Sequence, residues 1–408
     1  MFLGYVDQIE RVDNMFYIVF DVVSEHQLKK LLEDPVSAKQ INLSDAYSTF
    51  CLMLKVHKWS DVPALQREIE IDRWYKIEIN DSESNLVNAI RYDDMNSNNG
   101  VDVNVQIYFL DKRVNSTKNI YHLFSLNDFP KSNENELTNL LTQNRFASKT
   151  FLAVYNVGQG NCSAVCNSLN SSPIVYYDFG GGCYSNAHTY PSGQQYCFTN
   201  NPPIVLSHWD NDHWSSANHL RSPWAKNYPW IVPDQPLNAT QLKFASELAF
   251  LGNLYIWPRI STLKLIRTGY GAFFYCDGTS KNDSGLGFLY SSEQEDIRAL
   301  LPGDAAYKYI NSRFKNDLSS IVASHHGGNR RLDPPPFARS TQSNTNIVYP
   351  YGLHNSYGHP GVLRFGEHVH FGWNKDIHTY KGHVGLGISS LPPIGCSTNY
   401  CDLRIVQI

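Results

Sequence analysis

Nowhere in the 408 residues do about eighteen apolar positions run without interruption, so the chain offers no candidate for a membrane-spanning helix. The opening residues, MFLGYVDQIERVD, lack the basic stretch followed by a long apolar core that marks a secretory leader. A soluble, cytoplasmic protein without membrane association is therefore expected. An excess of one charge is also missing. Lys and Arg number 34 against 38 Asp and Glu, for a net charge of −4. No global field draws in a phosphate polymer, which argues against tight, sequence-independent binding of duplex DNA and leaves only a local groove for nucleic acid. Nor is there a basic run with interleaved aromatics of the kind that tracks a single strand. The eight cysteines (51, 162, 166, 183, 197, 276, 396 and 401) include no CxxC pair; the nearest spacings are Cys162 to Cys166 and Cys396 to Cys401. They read as small buried hydrophobes rather than a zinc knuckle or a disulfide framework.

The length is that of about two domains. Residues 1–148 read as a strand-rich accessory or recognition domain, and residues 149–408 as a second domain that carries the chemistry. In the first part, Phe2 to Arg11 and Met15 to Val23 flank Asp13-Asn14 as a hairpin. Trp74 to Ile79 and Val101 to Phe109 alternate apolar and polar residues with the period of two of a half-buried strand. EHQLKKLLE (25–33) and the stretch from Glu134 to Arg145 predict helices, the latter behind an Asn133/Glu136 cap. Several short strands fit a small β-barrel. No catalytic constellation precedes residue 148, so this part is read as a module for a protein partner or self-association.

From Phe151 onward, short apolar strands alternate with glycine-rich turns, which predicts a layered α/β architecture. The densest chemistry is LSHWDNDH (206–213), where His208, Asp210, Asp212 and His213 place four metal-binding side chains within six residues. The apolar run Ile204-Val205-Leu206 ahead of it predicts a buried strand, so the ligands sit on the loop leaving its C-terminal end. His208 and Asp210, two apart, point the same way while Asp212 and His213 diverge, an arrangement able to feed two adjacent ions. His213 to Leu220 predicts a helix, as does Asn238 to Leu251 with its apolar face. Further strands deliver further ligands. Ile297 to Leu301 leads into Pro302-Gly303-Asp304, Ser320 to Ala323 into Ser324-His325-His326-Gly327-Gly328, and Asn346 to Pro350 into Asn355-Ser-Tyr-Gly-His359-Pro360. Polar groups arriving from several strand ends are how an α/β scaffold assembles a site.

Five blocks in this order, NVGQGN (156–161), DFGGG (178–182), SHWDNDH (207–213), PGD with SHHGG (302–304 and 324–328) and NSYGHP (355–360), resemble the metallo-β-lactamase superfamily. Within it they are most similar to the nuclease-like domain of the DNA-uptake protein ComEC, over residues 150 to 370. The resemblance implies a metallo-β-lactamase-like αββα sandwich holding one or two divalent ions. It implies His208 and Asp210 as ligands of a first ion, Asp212 and His213 of a second, Asp304 as the bridging carboxylate, and one of His325 and His326 completing the second set. Asp178 becomes a brace of the ligand loop, and His359 a phosphate contact or proton donor. Two departures stand out. Asn156 and Asn161 replace aspartates of the usual opening block, and no histidine is found for a further ligand of the first ion, Asn282 being the nearest residue.

An oxygen-rich first set containing Asp210 shifts preference from zinc towards manganese, so Zn2+ or Mn2+ is expected. Two such ions, about 3.5 to 4 Å apart, can clamp a phosphodiester for attack by a hydroxide the metal has activated. His359, or else the spare histidine of the 325/326 pair, is the expected acid for the leaving oxygen, with Asp212 the other catalytic residue. Lys281, Arg330 and Arg331 are candidates for holding phosphate. The expected function is a metal-dependent phosphodiesterase or nuclease acting on nucleic acid or a nucleotide-like phosphodiester. The alternatives are a hydrolase of nucleotides, lactones or thioesters, and a non-catalytic interaction protein on the same scaffold.

Overall fold

A computed structural model describes the chain except residues 34–42, 44–45, 59–61, 63–68, 81–85, 111–114, 144–148, 170, 220–221, 261, 294–295, 330–331, 341–343, 388–404 and 408; for 31–33, 115–117, 223 and 405–407 only the backbone is described. It divides into two compact units, Met1–Pro130 with Pro236–Gly252, and Lys131–Gln235 with Asn253–Ile408.

The first unit is a closed six-stranded barrel. Its strands are β1 (Phe2–Val12), β2 (Met15–Ser24), β3 (Thr49–Val56), β4 (Trp74–Ile79), β5 (Val87–Tyr92) and β6 (Val101–Phe109), in the order β1-β2-β3-β5-β6-β4. The expected hairpin forms with Met15 opposite Val12, and Asp13 takes the left-handed turn position (φ +53°) that Asp tolerates. Alternation puts Ile18, Phe20, Val22, Leu52, Leu54, Ile77, Val105 and Ile107 into one apolar interior. The helix Glu25–Glu33 has the expected bounds. The helix Ala239–Phe250, capped as a box by Asn238 and Gln241, also belongs to this unit. Its first amides, on Ala239 and Thr240, donate to Asp21 Oδ2 at 2.8 and 3.1 Å, while the Asn238 and Gln241 side chains donate to Asp7 Oδ1, each at 3.0 Å. Buried carboxylates of the barrel thus satisfy the helix's orphan donors and its positive end.

The second unit holds β7 (Thr150–Val154), β8 (Cys162–Asn167), β9 (Pro173–Phe179), β10 (Ile204–Val205), β11 (Trp230–Pro233), β12 (Leu254–Trp257), β13 (Leu265–Thr268), β14 (Gly271–Tyr275), β15 (Leu286–Ser292), β16 (Ile297–Leu301), β17 (Ser320–Val322), β18 (Asn346–Tyr349), β19 (Lys375–His378), β20 (His383–Leu386) and β21 (Ile405–Gln407). They form two mixed sheets, β12-β11-β10-β9-β8-β7-β20-β21 and β13-β14-β15-β16-β17-β18-β19. One core joins the inward faces: Leu152, Val154, Tyr177, Val205 and Ile231 of the first sheet meet Phe273, Phe288, Leu301, Val322 and Val348 of the second. The alternate residues of the second sheet, among them Phe274, Leu289, Leu300 and Ile321, face a second apolar cluster with Phe314 and Trp373.

Three expectations are modified. The helix Glu134–Thr142, although capped by Asn133 and Glu136 as expected, packs Leu137 and Leu141 into the core of the second unit, so the contacts divide the chain at residue 130 where the sequence reading drew a boundary near 148. The stretch 147–150, which the sequence reads as the linker between the two parts, falls partly outside the described residues. In place of a helix from His213, a 3-10 turn Asn211–His213 ends there and a second, Ser215–Asn218, follows, because Ser215 and Ser216 spend their hydroxyls on the carbonyls of Gly181 and Gly180; Leu220, the expected end, lies outside the described residues. Helical outer layers are thin: among the described residues of this unit the α-helices are Glu134–Thr142 and Val362–His370, and short 3-10 turns supply much of the remaining cover. No helix among the described residues is long and apolar enough to cross a membrane.

Candidate metal centre

The site gathers at strand ends. β9 closes with Asp178, β10 runs into His208–His213, β16 into Asp304, and β17 into His325 and His326. β9, β10 and β11 are mutually parallel, as are β16, β17 and β18, so their loops leave in common directions. Glycines let the loops close on one another. A Cβ at Gly180 would stand 1.7 Å from the Asp212 carbonyl oxygen, and one at Gly303 (φ +59°) 2.8 Å from the Ser207 side chain. His325 (φ 51°) and His326 (φ 55°) both sit in the left-handed region, a strained backbone that persists where the surroundings hold it.

Three imidazoles turn the same nitrogen toward the centre. His326 Nδ1 donates to the Pro350 carbonyl at 2.8 Å, and His213 Nδ1 donates to Asp178 Oδ2 at 2.8 Å. Ser207 Oγ donates to Asp178 Oδ2 at 2.9 Å, which leaves it to accept from His208 Nδ1 at 3.0 Å. With each Nδ1 carrying the proton, each Nε2 presents a lone pair. All three Nε2 atoms are buried and make no hydrogen bond of proper geometry, an expensive condition for a polar atom that a bound cation relieves.

Carboxylates stand among them. Asp304 Oδ1 lies 3.1 Å from His213 Nε2 and 3.8 Å from His326 Nε2, and Asp212 Oδ2 lies 3.1 Å from His326 Nε2. The ligand atoms fall into two groups, His208–His213–Asp304 and Asp212–His213–His326, each with its atoms within 4.8 Å of one another. Either group can hold a metal ion. The field favours a cation: burial opposes the charge on His213, yet Asp304 and Asp178 on either side raise its pKa well above the usual imidazole range. Burial likewise works against ionised Asp304, and His213, His325 and His326 overcome it, holding the carboxyl well below its usual range.

The sequence-derived residues are thus placed. His208, Asp212, His213, Asp304 and His326 meet in these groups. Of the histidine pair, His326 faces Asp212, whereas His325 Nδ1 stands 2.6 Å from Asp304 Oδ2. Asp210 belongs to neither group: Oδ1 pairs with the buried Lys281 ammonium at 3.1 Å and Oδ2 stands 3.3 Å from His208 Nε2. Lys281, read from sequence as a phosphate holder, is 2% exposed and faces a carboxylate instead. His359 stacks near His326 at 5.9 Å between ring centroids, its Nδ1 taking a hydrogen bond from Gln159 Nε2 at 3.0 Å. Asn161, the neutral replacement in the opening block, still donates to Asp178 Oδ2 at 3.0 Å. Gln159 and Ser207 were not singled out from sequence; both lie within the quoted blocks, and only their partners reveal their work. Arg330 and Arg331 lie outside the described residues.

No protein-family profile matches the chain, and no curated protein matches it. Solved structures similar to it include the following two. One is the metallo-β-lactamase fold protein YhfI from Bacillus subtilis, at 11% identity and a TM-score of 0.32, covering 56% of this chain and 95% of that one. The other is a protein of unknown function from Enterococcus faecalis V583, at 12% identity and a TM-score of 0.30, covering 46% of this chain and 53% of that one.

Proposed function

We propose that the protein is a metal-dependent hydrolase of the metallo-β-lactamase type, acting on a phosphodiester, with nucleic acid or a nucleotide-like molecule as substrate. The observation behind this reading is the set of three buried Nε2 lone pairs, each oriented by its own Nδ1 partner, around Asp212 and Asp304. Asp212, His213, His326 and Asp304 would hold the ion, and His208 groups with His213 and Asp304 beside it. Imidazoles mixed with carboxylates suit Zn2+ and Mn2+. When bound, such an ion acts as a Lewis acid toward a phosphoryl oxygen and makes water acidic near neutral pH. The chain's own residues supply the rest. The amide of Gln159 donates to His359 Nδ1, which puts the ring proton on Nε2, where it can pass to a leaving oxygen. Asp178 keeps His213 in its ligating tautomer. The barrel is assigned to recognition of a partner or a second copy.

The test is an assay of the purified chain with Mn2+ or Zn2+ on single-stranded DNA, duplex DNA, RNA and cyclic dinucleotides, beside Asp212→Ala and Asp304→Ala. Metal-dependent cleavage of at least one substrate, lost in both variants, is the expected result. Full activity in the two variants, or no cleavage of any substrate by metal-loaded protein, sinks the reading.

A further inference from the structure

Lys281, read from sequence as a phosphate holder, directly precedes Asn282, the residue nearest to a further ligand of the first ion. The turn that carries it is docked tightly: Gln235 Nε2 donates to the Lys281 carbonyl at 2.6 Å and to Ser284 Oγ at 2.9 Å, Ala306 N donates to Asp283 Oδ1 at 2.9 Å, and Leu286 N donates to the Ser207 carbonyl at 2.7 Å. Gly285 lies so close to Ser207 that a Cβ there would meet its carbonyl oxygen at 2.2 Å. The turn is therefore fixed against the ligand loop, and the ammonium it delivers is 2% exposed beside an Asp210 that is 5% exposed.

An ammonium buried this far from water is costly unless paired, and Asp210 is its ion-pair partner at 3.1 Å. The pairing has a consequence for metal binding. Asp210 Oδ1 stands 3.1 Å from the Lys281 ammonium and Oδ2 3.3 Å from His208 Nε2, so the charge that faces Asp210 is already that of Lys281, and Asp210 joins neither the His208–His213–Asp304 nor the Asp212–His213–His326 group. The His208–His213–Asp304 and Asp212–His213–His326 groups share His213, whose Nδ1 is committed to Asp178; its one remaining nitrogen can serve a single ion. A divalent cation at Asp210 would also stand against the fixed positive charge of Lys281.

From this we infer that the centre is mononuclear, with the Lys281 ammonium taking the electrostatic place of a first metal ion beside Asp210. The inference rests on the proposed metal-dependent function. One ion is held by Asp212, His213, His326 and Asp304, and Lys281 is a resident monovalent partner that needs no loading.

Metal-stripped full-length protein loaded with excess Mn2+ and then desalted tests this by elemental analysis and electron paramagnetic resonance. One ion per chain is expected in the wild type, with the six-line spectrum of isolated Mn2+. Lys281→Met frees Asp210 and is expected to raise the count towards two with a spin-coupled spectrum, while Lys281→Arg keeps one. Asp210→Asn is expected to leave one ion in place, whereas Asp212→Asn loses it; this pair decides the matter even where a Lys281 variant fails to fold. Two ions with spin coupling in the wild type overturn the mononuclear centre and leave the hydrolase reading standing. Loss of the single ion in Asp210→Asn, with a native circular dichroism spectrum, overturns it too. No bound ion in any sample overturns both.

Discussion

Asp178 Oδ2 lies 2.8 Å from His213 Nδ1, and this contact decides which way the imidazole's remaining lone pair faces. The same carboxylate accepts from the Ser207 amide at 2.6 Å, from Ser207 Oγ at 2.9 Å and from Asn161 Nδ2 at 3.0 Å. A buried carboxylate in the left-handed conformation (φ +58°) thus ties the end of β9 to the loop that follows β10. It is an acceptor surrounded by donors.

Asp178→Asn tests that arrangement. The substituted amide turns a donor toward Ser207 or His213, both of which need an acceptor there. Metal affinity, read by competition with a fluorescent chelator, is expected to fall about 10- to 100-fold, the usual loss when an imidazole ligand's outer partner is removed. Unchanged affinity in a folded variant rules out a positioning role for Asp178.

Gly180→Ala tests loop closure. Gly180 N donates to the Asn161 carbonyl at 2.8 Å, and an added Cβ would stand 1.7 Å from the Asp212 carbonyl oxygen, so the ligand loop must move. Destabilisation of about 1–3 kcal/mol in urea unfolding is expected, together with weaker metal binding. Gly366→Ala is the control: a Cβ there meets nothing within 4 Å, and its place within the helix Val362–His370 predicts a gain of about 0.5–1 kcal/mol. If both substitutions prove neutral, close packing of the loop is not what glycine provides at 180.

Stability is expected to fall on mild acidification through His368. This ring is buried against Tyr349 Oη at 2.9 Å and Tyr307 Oη at 3.3 Å, and burial, with the neighbouring Arg364 guanidinium, lowers its pKa to about 3. The unfolded chain therefore binds a proton that the native state refuses. The stabilisation is fully present above about pH 6.5 and is lost as pH falls toward the folded value, by about 1.4 kcal/mol per pH unit. Burial lowers His383 to about 4, and it acts in the same direction. Urea unfolding at pH 7.5, 5.5 and 4.5 is expected to show a shallower decline in His368→Phe than in the wild type. Parallel declines would remove His368 from the account.

Much of the local structure was legible because it depends on neighbours in the chain. The Asn133 cap, the hairpin at Asp13-Asn14 and the alternating strands β4 and β6 follow from periodicity and turn chemistry. Residues that meet in the centre could also be singled out, since His208, Asp212 and His213 are crowded into one loop and Asp304 and His326 each follow an apolar strand. The short strands β11, β12, β14, β19 and β20 were harder to see. Runs of four or five residues carry too little periodicity to separate a strand from a loop, and pairing with partners distant in sequence is what makes them strands.

Local pattern also misassigned the helix that would have followed His213, where serine hydroxyls reach carbonyls 34 and 36 positions away. The sequence by itself determined which side chains can bind a cation and roughly where strands and caps lie, because these depend on residue type and spacing. Tertiary structure alone decided that the helix Ala239–Phe250 serves the barrel, that His326 and not His325 faces Asp212, and that Lys281 is spent on Asp210. A buried charge takes its partner from whatever the fold brings within about 3 to 4 Å, and that distance is unrelated to separation along the chain.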